Sequence, residues 1–200
     1  MKWFYDNKWN SFTISELIKL DEIPKKSFVV TFDDGYEDNF INAFPILKKY
    51  NFKATIYLVP NQSINHWEEK NTSVLSNLLN NEQILQMQNT GLIEFGSHTL
   101  SHVNLSTIND EQLLIELKKS KEEIEKITRK ECEAFAYPYG KFDDKIIQAV
   151  EEIGYKNATV VKRGLFEKND NPFIIKRIGI LGTESFVDFL LKVTRIRNKL

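Results

Sequence analysis

Short apolar runs alternate with longer amphipathic stretches along most of the chain. Runs rich in β-branched and aromatic residues predict strands, and apolar residues repeated every three to four positions predict helices. The predicted strands cover residues 27–32, 54–59, 92–96, 133–137, 157–161 and 173–180. The predicted helices cover residues 40–50, 82–89, 109–128, 143–153 and 183–196. This alternation predicts an α/β fold with a parallel sheet, either open or closed into a barrel.

Two stretches interrupt this regular pattern. Residues 61–80 are polar and rich in Asn, which predicts a long loop with one helical turn. Pro45 falls inside the apolar spacing of the helix predicted at 40–50, a position where proline is unfavourable. Because long loops in compact domains are typically functional, we expect the loop at 61–80 to contribute to function.

The composition is that of a globular chain with material for one hydrophobic core. Of its 200 residues, 42% are hydrophobic and 28% are charged, which fits a single domain over 1–200 with core motifs at 27–180. The formal net charge of −1 lacks the basic excess expected of a nucleic-acid-binding protein. No stretch approaches the roughly 20 consecutive apolar residues that a transmembrane helix needs. We therefore expect neither nucleic acid nor the membrane interior as a partner.

The N-terminus and the cysteine content bear on the compartment. The first twelve residues include one early lysine but no apolar segment like that of a signal peptide. The single cysteine, Cys132, cannot form an internal disulfide, which is compatible with a reducing cytosol. We therefore expect a cytoplasmic protein, or an exported one if the N-terminus of this chain is truncated.

Polar motifs follow two of the predicted strands at the point where each strand ends. Asp33 and Asp34 follow the first strand, and His98 and His102 follow the third. Each motif alone is more often structural, as a solvated turn or as packed and surface histidines. The carboxyl ends of parallel strands, however, meet at one edge of a sheet. On a helical turn, two imidazoles four residues apart would point to one side. Together with one carboxylate they would bind a metal ion and leave one coordination position open for water, as in catalytic zinc sites. The second carboxylate, beside that water, could act as a general base.

Three motifs in this order and at these intervals resemble those of the polysaccharide deacetylase family, the NodB-homology domains of carbohydrate esterase family 4. They are T-F-D-D-G at 31–35, H-T-L-S-H at 98–102 and Y-P-Y-G at 137–140. The resemblance runs from about residue 27 to at least 155. It implies a distorted (β/α) barrel of about seven strands, with a first barrel element that is missing or improvised here. It also implies a hydrolase that removes N-acetyl groups from amino sugars of a polysaccharide or glycoconjugate.

The resemblance also implies roles for individual residues. Asp33 matches the catalytic base of the family, and Asp34, His98 and His102 match its metal ligands. Tyr139 matches a tyrosine whose backbone N–H helps to hold the oxyanion. The implied cofactor is Zn²⁺, although Co²⁺, Ni²⁺ and Mn²⁺ fit similar ligand sets. The implied partner is an N-acetylated sugar polymer or oligosaccharide, and no oligomeric state follows from the sequence.

The chain departs from the family pattern at the general acid. Members usually carry a histidine near the C-terminus that protonates the departing amine, and this chain has no histidine after His102. Either Asp33 returns the proton that it took, or His66 in the long loop reaches the site. The F-A-Y-P-Y-G spelling at 135–140 also occurs in bacterial members that depart from the full motif set, so we interpret the loss as a subfamily trait.

A second departure concerns the arginine that orients the base aspartate in the family, because Ala136 stands at its position. Arg163 or Arg177, at the ends of later predicted strands, could substitute, and a surface ion pair is the alternative for each.

The remaining predicted site residues are substrate contacts. Aromatic rings stack on sugars, and loop aromatics also serve as packing anchors. The predicted substrate contacts are Tyr36, Trp67, Tyr137 and Arg177. Two alternatives to N-deacetylation stay open: an esterase acting on O-acetylated sugars, and a metal- and sugar-binding domain with impaired catalysis.

Overall fold

The elements alternate along the chain in a computed structural model that describes residues 1–69 and 75–194. The strands are β1 (Asn10–Ser11), β2 (Ser27–Phe28), β3 (Val30–Phe32), β4 (Ala54–Leu58), β5 (Ile93–Ser97), β6 (Ala134–Ala136), β7 (Asn157–Arg163) and β8 (Ile175–Arg177). The α-helices are α1 (Lys2–Asp6), α2 (Ile14–Lys19), α3 (Phe44–Tyr50), α4 (Asn81–Gln88), α5 (Asp110–Thr128), α6 (Asp144–Glu152) and α7 (Phe186–Val193). The predicted α/β class is confirmed.

The central sheet has six parallel strands in the order β3-β4-β5-β6-β7-β8. It curls into a half-barrel, so that Arg177 at the end of edge strand β8 contacts Asp33, just beyond edge strand β3. The distorted barrel is therefore confirmed, with six strands in place of about seven. The strand predicted at 27–32 is divided at Val29: β2 pairs with β1 in a separate two-stranded sheet, and β3 pairs with β4.

Helix α2 covers the edge at which the strands of the central sheet begin, here called the amino end of the sheet. The N–H of Ile14 donates to Thr55 Oγ1 at 3.0 Å, and the N–H of Ser15 donates to Glu94 Oε2 at 3.3 Å. Thr55 in turn donates to Glu94 at 2.7 Å, and the Asn157 amide donates to Ser15 Oγ at 3.0 Å. The N-terminal segment is thus tied to the strands by polar side chains, and the expectation of a missing or improvised first barrel element stays a prediction.

The helix predicted at 40–50 begins as a π-helix, Asn39–Ala43, and continues as α3. Pro45 explains the change, because it has no N–H to donate to the carbonyl of Ile41. The ladder widens instead, and the N–H of Phe44 donates to the carbonyl of Asn39, five residues earlier. Asn39 and its neighbours are thereby turned towards the end of β3.

The interior of the half-barrel is filled by the ring of Tyr57 from β4. Tyr57 forms a small buried cluster with Ala134 and Ala136 of β6. A Cβ at Gly96 of β5 would lie 2.7 Å from the Tyr57 ring and 2.7 Å from the carbonyl oxygen of Ala134. Gly96 is therefore required for this close approach of strand and ring. The larger core lies between the sheet and the helices.

The last strand is shorter, and the last helix begins later, than the sequence pattern predicts. Strand β8 ends at Arg177 instead of residue 180, and α7 begins after its N-cap Ser185. Residues 195 and 196 of the predicted last helix lie outside the described residues, as do residues 70–74 of the long loop.

The predicted helical turn in the long loop at 61–80 is a 3₁₀ turn, His66–Glu68. Within 1–69 and 75–194, no helix has the length and apolar character needed to cross a membrane.

Candidate metal centre

The predicted ligands meet at the edge where the strands end, here called the carboxyl end of the sheet. Asp34 follows β3, and His98 and His102 follow β5. Asp34 Oδ1 lies 3.1 Å from His102 Nε2 and 3.5 Å from His98 Nε2. Both imidazoles are buried and Asp34 is nearly so. The three side chains, called the ligand cluster below, offer atoms within 4.8 Å of one another that could hold a metal ion.

The tautomer of His98 is fixed by the hydrogen bond of its Nδ1, the ring nitrogen that faces away from Asp34. His98 Nδ1 lies 2.7 Å from the carbonyl oxygen of Ala136, and because a carbonyl only accepts, Nδ1 carries the hydrogen. Burial lowers the pKa of His98 and favours the neutral ring. Its Nε2 therefore presents a lone pair to the cluster, the arrangement usual for metal-ligating histidines.

Asp34 Oδ1 is a polar atom that the protein leaves unsatisfied at this point. It is buried and accepts no hydrogen bond among the described residues, although two imidazole nitrogens lie close to it. A buried carboxylate oxygen without a donor, beside the lone pair of His98 Nε2, is unfavourable unless a cation lies between them. One carboxylate and two imidazoles are also ligands that Zn²⁺ accepts. The donor set therefore fits a divalent cation.

The backbone around the cluster is in the left-handed region at several non-glycine residues. Asp34 has a φ of 71°, Thr99 of 67°, His102 of 55° and Tyr139 of 59°. Strained backbone of this kind concentrates at functional sites. Residues 98–102 do not form the helical turn that would bring residues four apart to one side, because the chain there is irregular. The two imidazoles meet through the positive φ angles at Thr99 and His102 instead.

Asp33 is held by an arginine from the opposite edge of the sheet. Arg177 Nη1 donates to Asp33 Oδ1 at 2.6 Å, and Nη2 donates to Oδ2 at 2.8 Å. Burial raises the pKa of Asp33, but the hydrogen bonds from Arg177 and the positive charge of its guanidinium act in the opposite direction, and the pKa lies below its ordinary value. Asp33 is therefore kept ionised and in a fixed orientation.

Arg177 is itself fixed by two other strands, β3 and β7. It also donates to Thr31 Oγ1 and to the carbonyl oxygen of Val160, both at 3.2 Å. Arg163, the other candidate to replace the missing arginine, is exposed at the end of β7. The structure thus brings Arg177 to Asp33. The predicted contact of Arg177 with substrate stays a prediction.

Two of the predicted aromatic contacts lie at the ligand cluster. The ring of Trp67 stacks on that of His102, with centroids 4.5 Å apart and planes at 19°. The Tyr36 hydroxyl accepts from the Asn65 amide at 3.3 Å. Burial and the charge of Asp34 raise the pKa of Tyr36 to about 12. Asn65 was not among the predicted site residues, and no local motif marks it.

The Tyr139 hydroxyl lies 3.2 Å from His102 Nδ1, and 51% of the Tyr139 residue is exposed. The predicted role of its backbone N–H stays a prediction. Tyr137 was predicted to contact a sugar, and this is wrong: its side chain is fully buried and donates to the carbonyl oxygen of Phe173. His66 is exposed, 3.8 Å from Glu69, and no contact ties it to the ligand cluster.

A cavity of about 370 Å³ opens beside Asp33. It lies between the end of β3 and the π-helix, and its lining is Thr31, Phe32, Asp33, Tyr36, Asp38, Asn39, Asn42 and Ala43. The cavity is large enough for a small ligand group and would bring it against Asp33.

Comparisons with known proteins agree with this architecture. A family model described as polysaccharide deacetylase matches residues 21–158. The poly-β-1,6-N-acetyl-D-glucosamine N-deacetylase of Staphylococcus aureus (strain MRSA252) is 30% identical over 189 residues, covering 89% of this chain and 63% of that protein. The chain spans less than two thirds of the length of the curated relatives it matches first.

Two solved structures extend the agreement to the fold. The Streptococcus pyogenes deacetylase PplD, in complex with acetate, has a TM-score of 0.80 at 26% identity and covers 96% of this chain and 82% of its own. The polysaccharide deacetylase BC0361 of Bacillus cereus has a TM-score of 0.80 at 31% identity and covers 96% of this chain and 59% of its own. By its sequence match and its fold, the chain belongs to the polysaccharide deacetylase family.

Proposed function

We propose that the protein is a metal-dependent hydrolase that removes N-acetyl groups from amino sugars of a polysaccharide. The observation that carries the proposal is the pairing of an unsatisfied ligand cluster with a carboxylate that is held beside it. Asp34, His98 and His102 would hold the metal ion, and Asp33 stands next to them without joining them. A bound divalent ion supplies polarisation of the acetamide carbonyl and a lowered pKa for attacking water.

Asp33 is the proposed proton acceptor. A general base must be ionised and must point at the proton that it takes, and Arg177 provides both conditions by binding the two carboxylate oxygens. The lowered pKa makes Asp33 a weak base, so it depends on an acidified water molecule as its partner. Transfer of the proton to Asp33 and attack of the oxygen on the carbonyl carbon form the tetrahedral intermediate.

Collapse of that intermediate breaks the C–N bond, and the departing nitrogen needs a proton. The chain has three histidines, of which His98 and His102 belong to the ligand cluster and His66 is exposed next to Glu69. We therefore propose that Asp33 returns its proton to the amine, which leaves acetic acid and a free amino sugar. The acid then ionises to acetate, and its proton passes to solvent or to the released amine, so that Asp33 ends the cycle as the carboxylate.

The name of the Staphylococcus aureus relative supplies the first substrate to test, a β-1,6-linked polymer of N-acetylglucosamine. The cavity beside Asp33 supports a sugar ligand, because carboxylate, amide and phenol groups line it and can hydrogen-bond to hydroxyl groups. Zn²⁺ is the proposed metal, with Co²⁺, Ni²⁺ and Mn²⁺ as alternatives to be compared.

The test is acetate release from β-1,6 and β-1,4 oligomers of N-acetylglucosamine by the metal-loaded protein, with Asp33→Asn as the matched variant. We expect wild-type turnover and a fall of about 10²–10⁴-fold in kcat for Asp33→Asn. The variant should keep its metal, measured by elemental analysis. Unchanged turnover by Asp33→Asn would remove Asp33 from the base role.

The same assay separates the two alternatives. Acetate release from O-acetylated xylan without release from any amide would identify an esterase, whose alkoxide leaving group is easier to expel than an amine. Binding of oligomers without turnover of either substrate class would identify a sugar-binding domain. Either result would overturn the proposed N-deacetylase.

A further inference from the structure

Trp67 makes a contact with the ligand cluster that the proposed reaction does not use. Its indole stacks on the imidazole of His102, with centroids 4.5 Å apart and planes only 19° from parallel. The indole N–H is buried and donates no hydrogen bond within the described residues. A side chain that only anchored the loop would not need to bury an unpaired donor, which is unfavourable. The contact with His102 accounts for the position of the ring.

Two further rings contact His102. His98 and Tyr139 both meet it in edge-on geometry, with centroids 4.8 Å away. Of these three neighbouring rings, Trp67 is the one that lies nearly parallel to the imidazole and so packs against its face. The orientation of the imidazole is therefore set in part by these side-chain contacts.

The turn that carries Trp67 is held in place by its neighbour Asn65. Asn65 is buried, accepts from the N–H of Ser76 at 2.6 Å and donates to the Tyr36 hydroxyl at 3.3 Å. The short stretch 65–67 is therefore anchored by the hydrogen bonds of Asn65, and Trp67 stacks on His102 from this anchored turn.

We propose that Trp67 is a positioning residue of the metal centre, which holds the His102 imidazole in its ligating orientation and thereby raises metal affinity. The proposal rests on the proposed function only in that it takes the ligand cluster to bind a metal. This role differs from the predicted sugar contact, because the face of the indole that stacks on His102 is covered by the imidazole and does not meet the substrate. Side chains that orient a ligand typically contribute about 10–100-fold to metal affinity.

The test is the affinity for Zn²⁺ alone, measured by competition with a chelator in the absence of any sugar. We expect Trp67→Ala to bind Zn²⁺ about 10–100-fold more weakly than wild type. Trp67→Phe should recover most of the affinity, because a flat ring can still stack on the imidazole. The absorption spectrum of bound Co²⁺ reports the geometry of the metal ligands. It should therefore depart from the wild-type spectrum more in Trp67→Ala than in Trp67→Phe.

His66→Ala is the matched control, because His66 lies on the same turn with its side chain exposed. It should bind Zn²⁺ as wild type does. Thermal unfolding in chelator should show that all variants fold. If Trp67→Ala does not fold, Trp67→Leu keeps an apolar side chain without a flat ring and should show the same loss of affinity.

Two outcomes would overturn the positioning role alone: wild-type Zn²⁺ affinity in folded Trp67→Ala or Trp67→Leu, or a higher KM for oligomers with unchanged Zn²⁺ affinity, which is the signature of a sugar contact. Failure of the wild-type protein to bind Zn²⁺ would overturn the metal centre and the proposed function with it. Absence of acetate release with Zn²⁺ affinities as expected would leave the positioning role standing and overturn only the activity.

Discussion

The two ends of the curled sheet use polar side chains in opposite ways. At the amino end, Thr55 and Glu94 are hydrogen-bonded to each other and to the first N–H groups of α2. At the carboxyl end, Asp34 Oδ1 is buried and accepts no hydrogen bond among the described residues. A single strand, β5, carries Glu94 near its start and leads into His98 at its end.

The difference separates stability from function within one sheet. Thr55 and Glu94 at the amino end are satisfied by the protein itself, so their removal should cost folding free energy. Asp34 Oδ1 at the carboxyl end is left without a hydrogen bond, so the removal of this carboxylate should cost binding and activity with little effect on folding. This division is the one expected of barrels whose chemistry lies at the carboxyl ends of the strands.

The largest expected effect is that of Asp34→Asn at the carboxyl end. The substitution removes the charged ligand, so Zn²⁺ binding and acetate release should both be lost. Saturating Zn²⁺ at about 100 times its Kd should raise the unfolding free energy of wild type by about 2.7 kcal/mol and that of the variant by nothing. In chelator, the two proteins should unfold within about 1 kcal/mol of each other, because Asp34 Oδ1 has no hydrogen bond to lose.

Chemical denaturation with and without Zn²⁺ measures both halves of this expectation. A chelator-treated variant several kcal/mol less stable than wild type would mean that Asp34 is structural, like Glu94 at the other end. Continued stabilisation of the variant by Zn²⁺ would place the metal elsewhere.

A smaller effect is expected where the two edges of the sheet meet, at the Asp33–Arg177 pair. Arg177→Met should lower kcat/KM by up to about 10²-fold, because the base is no longer oriented. It should also raise the pKa of Asp33, since the hydrogen bonds and charge that lower it are removed. The base must be ionised, so the acidic limb of the pH–rate profile should move to higher pH. The Zn²⁺ affinity should stay as in wild type.

Arg177→Lys separates orientation from charge. Lysine keeps the positive charge but cannot bind both carboxylate oxygens as guanidinium does. We expect a smaller displacement of the acidic limb than in Arg177→Met, together with a clear loss of kcat. An unchanged kcat and pH profile in both variants would show that Asp33 does not depend on Arg177.

The fold was predictable where the signal is local. Strands β4, β5 and β7 and helix α5 lie at or near their predicted ranges, because each has a continuous apolar pattern that tertiary contacts reinforce. The short elements β1 and α2 could not be predicted, since two to six residues carry no periodicity. The contact of Ile14 with Thr55 across 41 residues is what holds α2 in place.

The residues of the site were likewise predictable where they lie in local sequence motifs. Asp34, His98 and His102 lie in compact motifs, whereas the Asp33–Arg177 contact spans 144 residues and depends on the curl of the whole sheet. The error at Tyr137 could have been avoided. Side chains alternate along a strand, so Tyr137 shares the face of Phe135, and both rings are buried and 5.2 Å apart.

The smallest expected effect belongs to the amino end and completes the comparison. Thr55→Val keeps the shape of the side chain but removes the hydroxyl that accepts from Ile14 and donates to Glu94. A buried N–H and a carboxylate oxygen each lose a partner, so the free energy of unfolding should fall by about 1–3 kcal/mol. Thr55→Ser, which keeps the hydroxyl, should lose less. Zn²⁺ affinity and kcat should be unchanged in both variants, and a selective loss of either one would mean that the two ends of the sheet are coupled instead of independent.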